Sequence, residues 1–156
     1  MPAARHAVED LASRLECDVG AVRIAVSEAV GNCVLHAYQG REPGPIVVLA
    51  RVLRGRLVIT IADSGRGVRP RLDSPGLGLG LPIVSSLADD VRIESDRRGT
   101  AVSISFAIGS TTSERDAEAD AGTRAAEISA ELERAREIIH RRGGKGSLRW
   151  ARVATG

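Results

Sequence analysis

Aromatic side chains are nearly missing from this 156-residue sequence, which has one Trp, one Tyr and one Phe, so any core must be built from Val, Ile, Leu and Ala. Lysine is almost absent as well: Lys145 is the only one among 22 basic residues. No G-x-x-x-x-G-K-[ST] occurs, and a phosphate loop of that kind is excluded because it needs its lysine beside the glycines. Cys17 and Cys33 are the only cysteines. Each sits in a helical pattern, where a small buried thiol is expected in place of a disulfide or a metal ligand. No apolar run approaches the length of a membrane span, and the first residues carry acids and arginines instead of an apolar signal core. A cytoplasmic protein with no membrane partner is expected. A net charge of +2 is too small to argue for direct nucleic-acid binding.

What is present is enough apolar material, 43% of residues, for one domain with a real core. Ala4, Ala7, Val8, Leu11, Ala12 and Leu15 recur at helical spacing and predict an amphipathic first helix. Asp18 can cap a second helix carrying Val22, Ala25, Val26, Ala29, Val30 and Cys33, which "QGREPGP" then breaks. "IVVLARVL" and "LVITIAD" flank a glycine turn and read as a hairpin; "DVRIES" and "TAVSISF" read as another. Between the hairpins Pro82 fits the first turn of a short helix. The order helix, helix, strand, strand, helix, strand, strand predicts an α+β fold, a two-layer sandwich with helices on one face of a mixed, mainly antiparallel sheet. Residues 109–156 are polar and small at first, then form a weaker helix around Ile128, Leu132, Ala135 and Ile139, then a basic end. They are expected to be a tail outside the core of a 1–108 domain, dispensable for its stability.

Three groups of residues could carry chemistry. Glu28, Asn32 and His36 fall at i, i+4 and i+8 of the second helix, which stacks them on one face about 6 Å apart per step. A carboxylate and an amide in line suit Mg²⁺ and a triphosphate, since Mg²⁺ takes oxygen ligands and keeps waters. The competing reading is a solvated helix face. In "LVITIAD", Leu57, Ile59, Ile61 and Asp63 point the same way, so an acid ends a row of core residues. It is either a strand-end acid turned to water or an acceptor for a ligand's N–H donors, such as the adenine amino group. Gly65 and Gly67 follow at once in "DSGRG", and Gly76, Gly78 and Gly80 alternate with Leu77 and Leu79 in "GLGLGLPIV". The alternation fits either backbone amides brought close to an anion or a mobile hinge. The dinucleotide fingerprint does not fit, because the third glycine is one position early and no strand precedes it.

In this order the pieces resemble the Bergerat-type (GHKL) ATP-binding domain shared by DNA gyrase, a heat-shock chaperone, histidine kinases and mismatch-repair ATPases, and most of all the bacterial anti-sigma-factor serine kinases. "SEAVGNCVLHAY", "DSGRG", "GLGLGLPIV" and "RRGTAVSISF" are similar to that family's successive motifs, over Arg5 to Ile108. The resemblance implies ATP and Mg²⁺ as cofactors, with Asn32 on Mg²⁺ and Glu28 as the base that activates the attacking hydroxyl. It further implies Asp63 on the adenine amino group, Gly65 and Gly67 shaping the adenine pocket, Thr100 assisting at the base, and Gly76, Leu77, Gly78, Leu79 and Gly80 forming the phosphate loop. The implied function is an anti-sigma regulator that binds a sigma factor and phosphorylates a serine or threonine of a STAS-type antagonist. A non-catalytic ATP-binding module and a detached histidine-kinase-like ATPase domain are the alternatives. The sequence departs from the pattern in three places. The strand that usually precedes the first helix is missing, which leaves it absent or borrowed from a partner and homodimer formation open. The lid, "VRPRLDSP", is short and leaves Arg66, Arg69 and Arg71 as candidates for the γ-phosphate. The segment after Ile108 has no counterpart.

Overall fold

The computed structural model describes residues 2–40, 42, 44–65, 67, 80–109 and 121–142. Two helices open it, α1 (Pro2–Arg14) and α2 (Val19–Asn32), followed by a five-residue π-helical turn, Cys33–Ala37. Asp18 caps α2 as its sequence position predicts, its carboxylate accepting the Ala21 amide at 2.9 Å. The hairpin β1 (Ile46–Leu53) and β2 (Arg56–Asp63), helix α3 (Gly80–Leu87), the hairpin β3 (Asp90–Asp96) and β4 (Gly99–Ala107), and helix α4 (Ala121–Arg142) complete the order.

The four strands lie in the order β1-β2-β4-β3. Every pairing is antiparallel, with Ile61 opposite Val48 on one side and Val102 on the other. This register puts Ile46, Val48 and Ala50 of β1, Leu57, Ile59 and Ile61 of β2, and Val102, Ile104 and Phe106 of β4 on one face. Val8 and Ala12 of α1, Val22, Ala25, Val26, Ala29 and Val30 of α2 and Val84 of α3 close over them. The core is mainly aliphatic, with Phe106, Cys17 and Cys33 among its buried members, in keeping with the composition.

The α+β class and the antiparallel sheet are as expected, but the two-layer arrangement needs correction. Helix α4 covers the second face of the sheet. Its Ile128, Leu132, Ala135 and Ile139 bury against Val47 and Leu49 of β1, Ala62 of β2 and Ala101 of β4. Residues 121–142 are therefore not a tail outside the core; helices lie on both sides of the sheet. The reason is in β1, where "IVVLA" is apolar at five consecutive positions and so has an apolar side chain to bury on each face. Ion pairs at the margin fix the helix's register: Arg51 Nη1 meets Glu131 Oε1 at 2.6 Å, and Arg54 Nε meets Glu127 at 2.9 Å. Cys17 and Cys33 are buried free thiols.

Candidate functional site

The end of β2 and the turn between β3 and β4 meet the C-terminal end of α2. Asp63 closes the apolar row of β2 and is only 3% exposed. Its Oδ1 accepts the Gly65 amide at 2.8 Å and the Thr100 amide at 3.3 Å, so one oxygen is held by backbone from two sides. Burial pushes the Asp63 carboxyl above its usual range, opposed by those two amides, by the neighbouring Cys33 thiol, and by the charge of Arg136. Burial likewise raises the Cys33 thiol, with the Asp63 charge adding to it. An acceptor-only group held rigidly at the end of an apolar row is what a ligand's amino group requires.

The two glycines after Asp63 are there for want of room. A Cβ on Gly65 would run into the backbone of Ala37, at the end of the π-helical turn. Gly67 has φ +73°, which side chains rarely adopt, and a Cβ there would meet the Asp96 carbonyl and, at 2.9 Å, Ser95 Oγ. The loop is thus wedged between the end of α2 and the β3–β4 turn. Thr100, 7% exposed, shares a hydrogen bond with Ser95 through its hydroxyl at 3.2 Å while its amide holds Asp63.

Glu28 and Asn32 are half-buried and one helical turn apart on α2. His36, also half-buried, lies in the π-helical turn that begins at Cys33. Gly80 opens α3. Gly76, Leu77, Gly78 and Leu79, with Arg66, Arg69 and Arg71, lie outside the described residues.

Residues that sequence reasoning did not single out also shape the site. Tyr38, the only tyrosine, donates its hydroxyl to the Pro45 carbonyl at 2.5 Å and accepts the Ser64 amide at 3.0 Å, joining the turn after α2 to the loop beside Asp63. A half-buried phenol needs a partner for its hydroxyl, and its place beside the predicted helix end was the available signal. Tyr38→Phe leaves the Ser64 amide and the Pro45 carbonyl unpaired and is expected to lower stability by about 1 to 3 kcal/mol. Chemical denaturation at constant slope measures it; an unchanged midpoint would remove Tyr38 from this role. Arg136 of α4 is the other such residue, and only the packing of α4 reveals it.

Comparison with known proteins agrees with this geometry. The family model for the histidine kinase-like ATPase domain matches residues 1–106. Over 121 residues the chain is 30% identical to the anti-sigma F factor of Caldanaerobacter subterraneus subsp. tengcongensis, covering 68% of this chain and 84% of that protein. It is 29% identical over 122 residues to the anti-sigma F factor of Thermoanaerobacter sp. (strain X514), covering 69% and 85%. Among solved structures, the histidine kinase domain from the Erythrobacter litoralis EL346 blue-light activated histidine kinase superposes with a TM-score of 0.50 at 31% identity, over 56% of this chain and 46% of that one. The chain thus spans under half of that solved structure, and α4 lies beyond the family match. Among the described residues no helix is long and apolar enough to cross a membrane. With an antiparallel sheet, a buried strand-end aspartate and a glycine loop in the matched region, the chain belongs to the histidine kinase-like ATPase domain family, in the group that contains the bacterial anti-sigma F factors.

Proposed function

We propose that this protein is an ATP-binding anti-sigma regulator that holds a sigma factor and phosphorylates a serine or threonine on a STAS-type antagonist. The observation that carries the nucleotide reading is Asp63, buried at 3% exposure yet held as an acceptor by the Gly65 and Thr100 amides. Its role is to take the adenine amino group, with Gly65 and Gly67 keeping the backbone close around the base. The sigma factor comes from the likeness to the anti-sigma F factors, and the STAS-type antagonist from the resemblance of the sequence motifs to the anti-sigma-factor serine kinases.

For transfer, Glu28 is the residue assigned to take the proton, on the resemblance of its helix motif. As the acceptor hydroxyl oxygen bonds to the γ-phosphorus, the bond from that phosphorus to the ADP oxygen breaks, and the hydroxyl proton passes to the Glu28 carboxylate. Asn32, one turn further along α2, would offer a side-chain oxygen to Mg²⁺. When bound, Mg²⁺ neutralises charge that builds on the phosphate oxygens.

Asp63→Asn tests the base of this reading, since the amide replaces an acceptor-only group by one that also donates. It is expected to weaken ADP and ATP binding by about 1 to 3 kcal/mol, measured by titration calorimetry. Equal affinity in parent and variant would take Asp63 out of the nucleotide site. Incubation with labelled ATP and candidate STAS proteins tests the kinase half: label is expected on a serine or threonine of one of them. Sigma-factor binding that responds to ATP, with no label on any STAS protein, would replace the kinase by a non-catalytic module.

A further inference from the structure

The turn between β3 and β4 is held from both sides. On the site side, Asp96 offers its carbonyl to the space beside Gly67, Ser95 Oγ hydrogen-bonds Thr100 Oγ1, and the Thr100 amide grips Asp63. On the opposite side, α4 brings up Arg136, whose side chain is 10% exposed. Its Nη1 meets Asp96 Oδ2 at 3.3 Å, Glu133 Oε1 at 3.4 Å and Glu94 Oε2 at 3.8 Å. Its Nε and Nη2 are buried and have no hydrogen-bond partner among the described residues. A buried guanidinium with only one of its three nitrogens engaged costs stability. Nothing in the packing of Ile128, Leu132, Ala135 and Ile139 requires an arginine at 136.

We propose that Arg136 is a positioning residue for the nucleotide site: from α4 it pins the β3–β4 turn through Asp96, and thereby sets the wall against which Gly67 lies and the reach of the Thr100 amide to Asp63. The inference rests on the nucleotide reading of Asp63. It adds that α4, outside the family match, is coupled to that site. The charge of Arg136 also helps keep Asp63 ionised, in the same direction as the Cys33 thiol and the two amides and against burial. Undocking α4 would loosen the turn and weaken the grip on the base, so whatever engages α4 would alter nucleotide affinity.

The full-length chain and two variants test this, Arg136→Met, which keeps the apolar stem, and Arg136→Lys, which keeps a charge. Hydrogen exchange is measured without nucleotide, and ADP binding by calorimetry. In Arg136→Met the Thr100 and Gly65 amides are expected to exchange about tenfold faster while the Ile59 and Ile104 amides exchange as in the parent. ADP affinity should fall about fivefold in Arg136→Met and return to within about twofold of the parent in Arg136→Lys. Exchange and affinity both unchanged in Arg136→Met would overturn the proposal. So would faster exchange spread evenly over all strands, or equal losses in both variants, since either marks a purely structural residue. If the parent itself binds no ADP, the nucleotide reading falls, and faster exchange confined to Thr100 and Gly65 still supports the coupling of α4 to the turn.

Discussion

A chain ended at Ser110 is expected to aggregate or to lose its cooperative unfolding transition, although the polar composition after Gly109 suggests a dispensable tail. Ile128, Leu132 and Ile139 are each at most 2% exposed. Burying an aliphatic side chain of this size contributes about 1.5 to 3 kcal/mol, so the three together match or exceed the lower end of a domain's total stability, about 5 kcal/mol. Removing α4 would also leave Val47, Leu49, Ala62 and Ala101 as an open apolar face on the sheet. The entropy of ordering the helix is returned on truncation and offsets part of the loss. A point substitution is the cleaner measurement for that reason. Leu132→Ala, at a site that is fully buried, is expected to cost about 2 to 5 kcal/mol in denaturant unfolding. A midpoint equal to the parent's would show that α4 does not pack against the sheet in solution.

Glu28→Ala should transfer phosphate to a STAS partner at least about a hundredfold more slowly while binding Mg-ATP nearly as well as the parent. A general base acts on the proton that moves in the transition state and does little to hold ground-state ATP. Asn32→Ala should behave differently, losing Mg²⁺-dependent affinity together with rate, because its oxygen is assigned to the metal. Single-turnover rates beside ATP titrations with and without Mg²⁺ separate the two. Transfer by Glu28→Ala at the parent's rate would take the proton-accepting role from Glu28 and leave the kinase reading standing. Loss of ATP binding in Glu28→Ala without Mg²⁺ would show instead that the carboxylate supports the fold of α2.

Much of the site was legible because it is written in short-range pattern. The period of two in "LVITIAD" aligns Asp63 with Leu57, Ile59 and Ile61, and the register of β2 with β1 and β4 keeps it there. The spacing of Glu28 and Asn32 is a helical turn, and α2 does run through both. Gly65 and Gly67 stood out as permissive residues, but what crowds them, the Ala37 backbone and the Asp96 carbonyl, comes from elements distant in sequence.

The sequence alone determined the two hairpins, the capped α2, the aliphatic core and the placing of an acid at the end of a buried strand, since each depends on neighbours a few residues apart. The tertiary structure decided what covers the second face of the sheet. "IVVLA" had already required such a cover, and the spacing of Ile128, Leu132, Ala135 and Ile139 offered a stripe to provide it, but periodicity does not say which surface a stripe meets. Arg136 shows the same limit more sharply. It reaches Asp96 across 40 residues, and a contact of that range exists only once the sheet has closed and α4 has docked, so the partner of that buried charge was settled by packing and not by pattern.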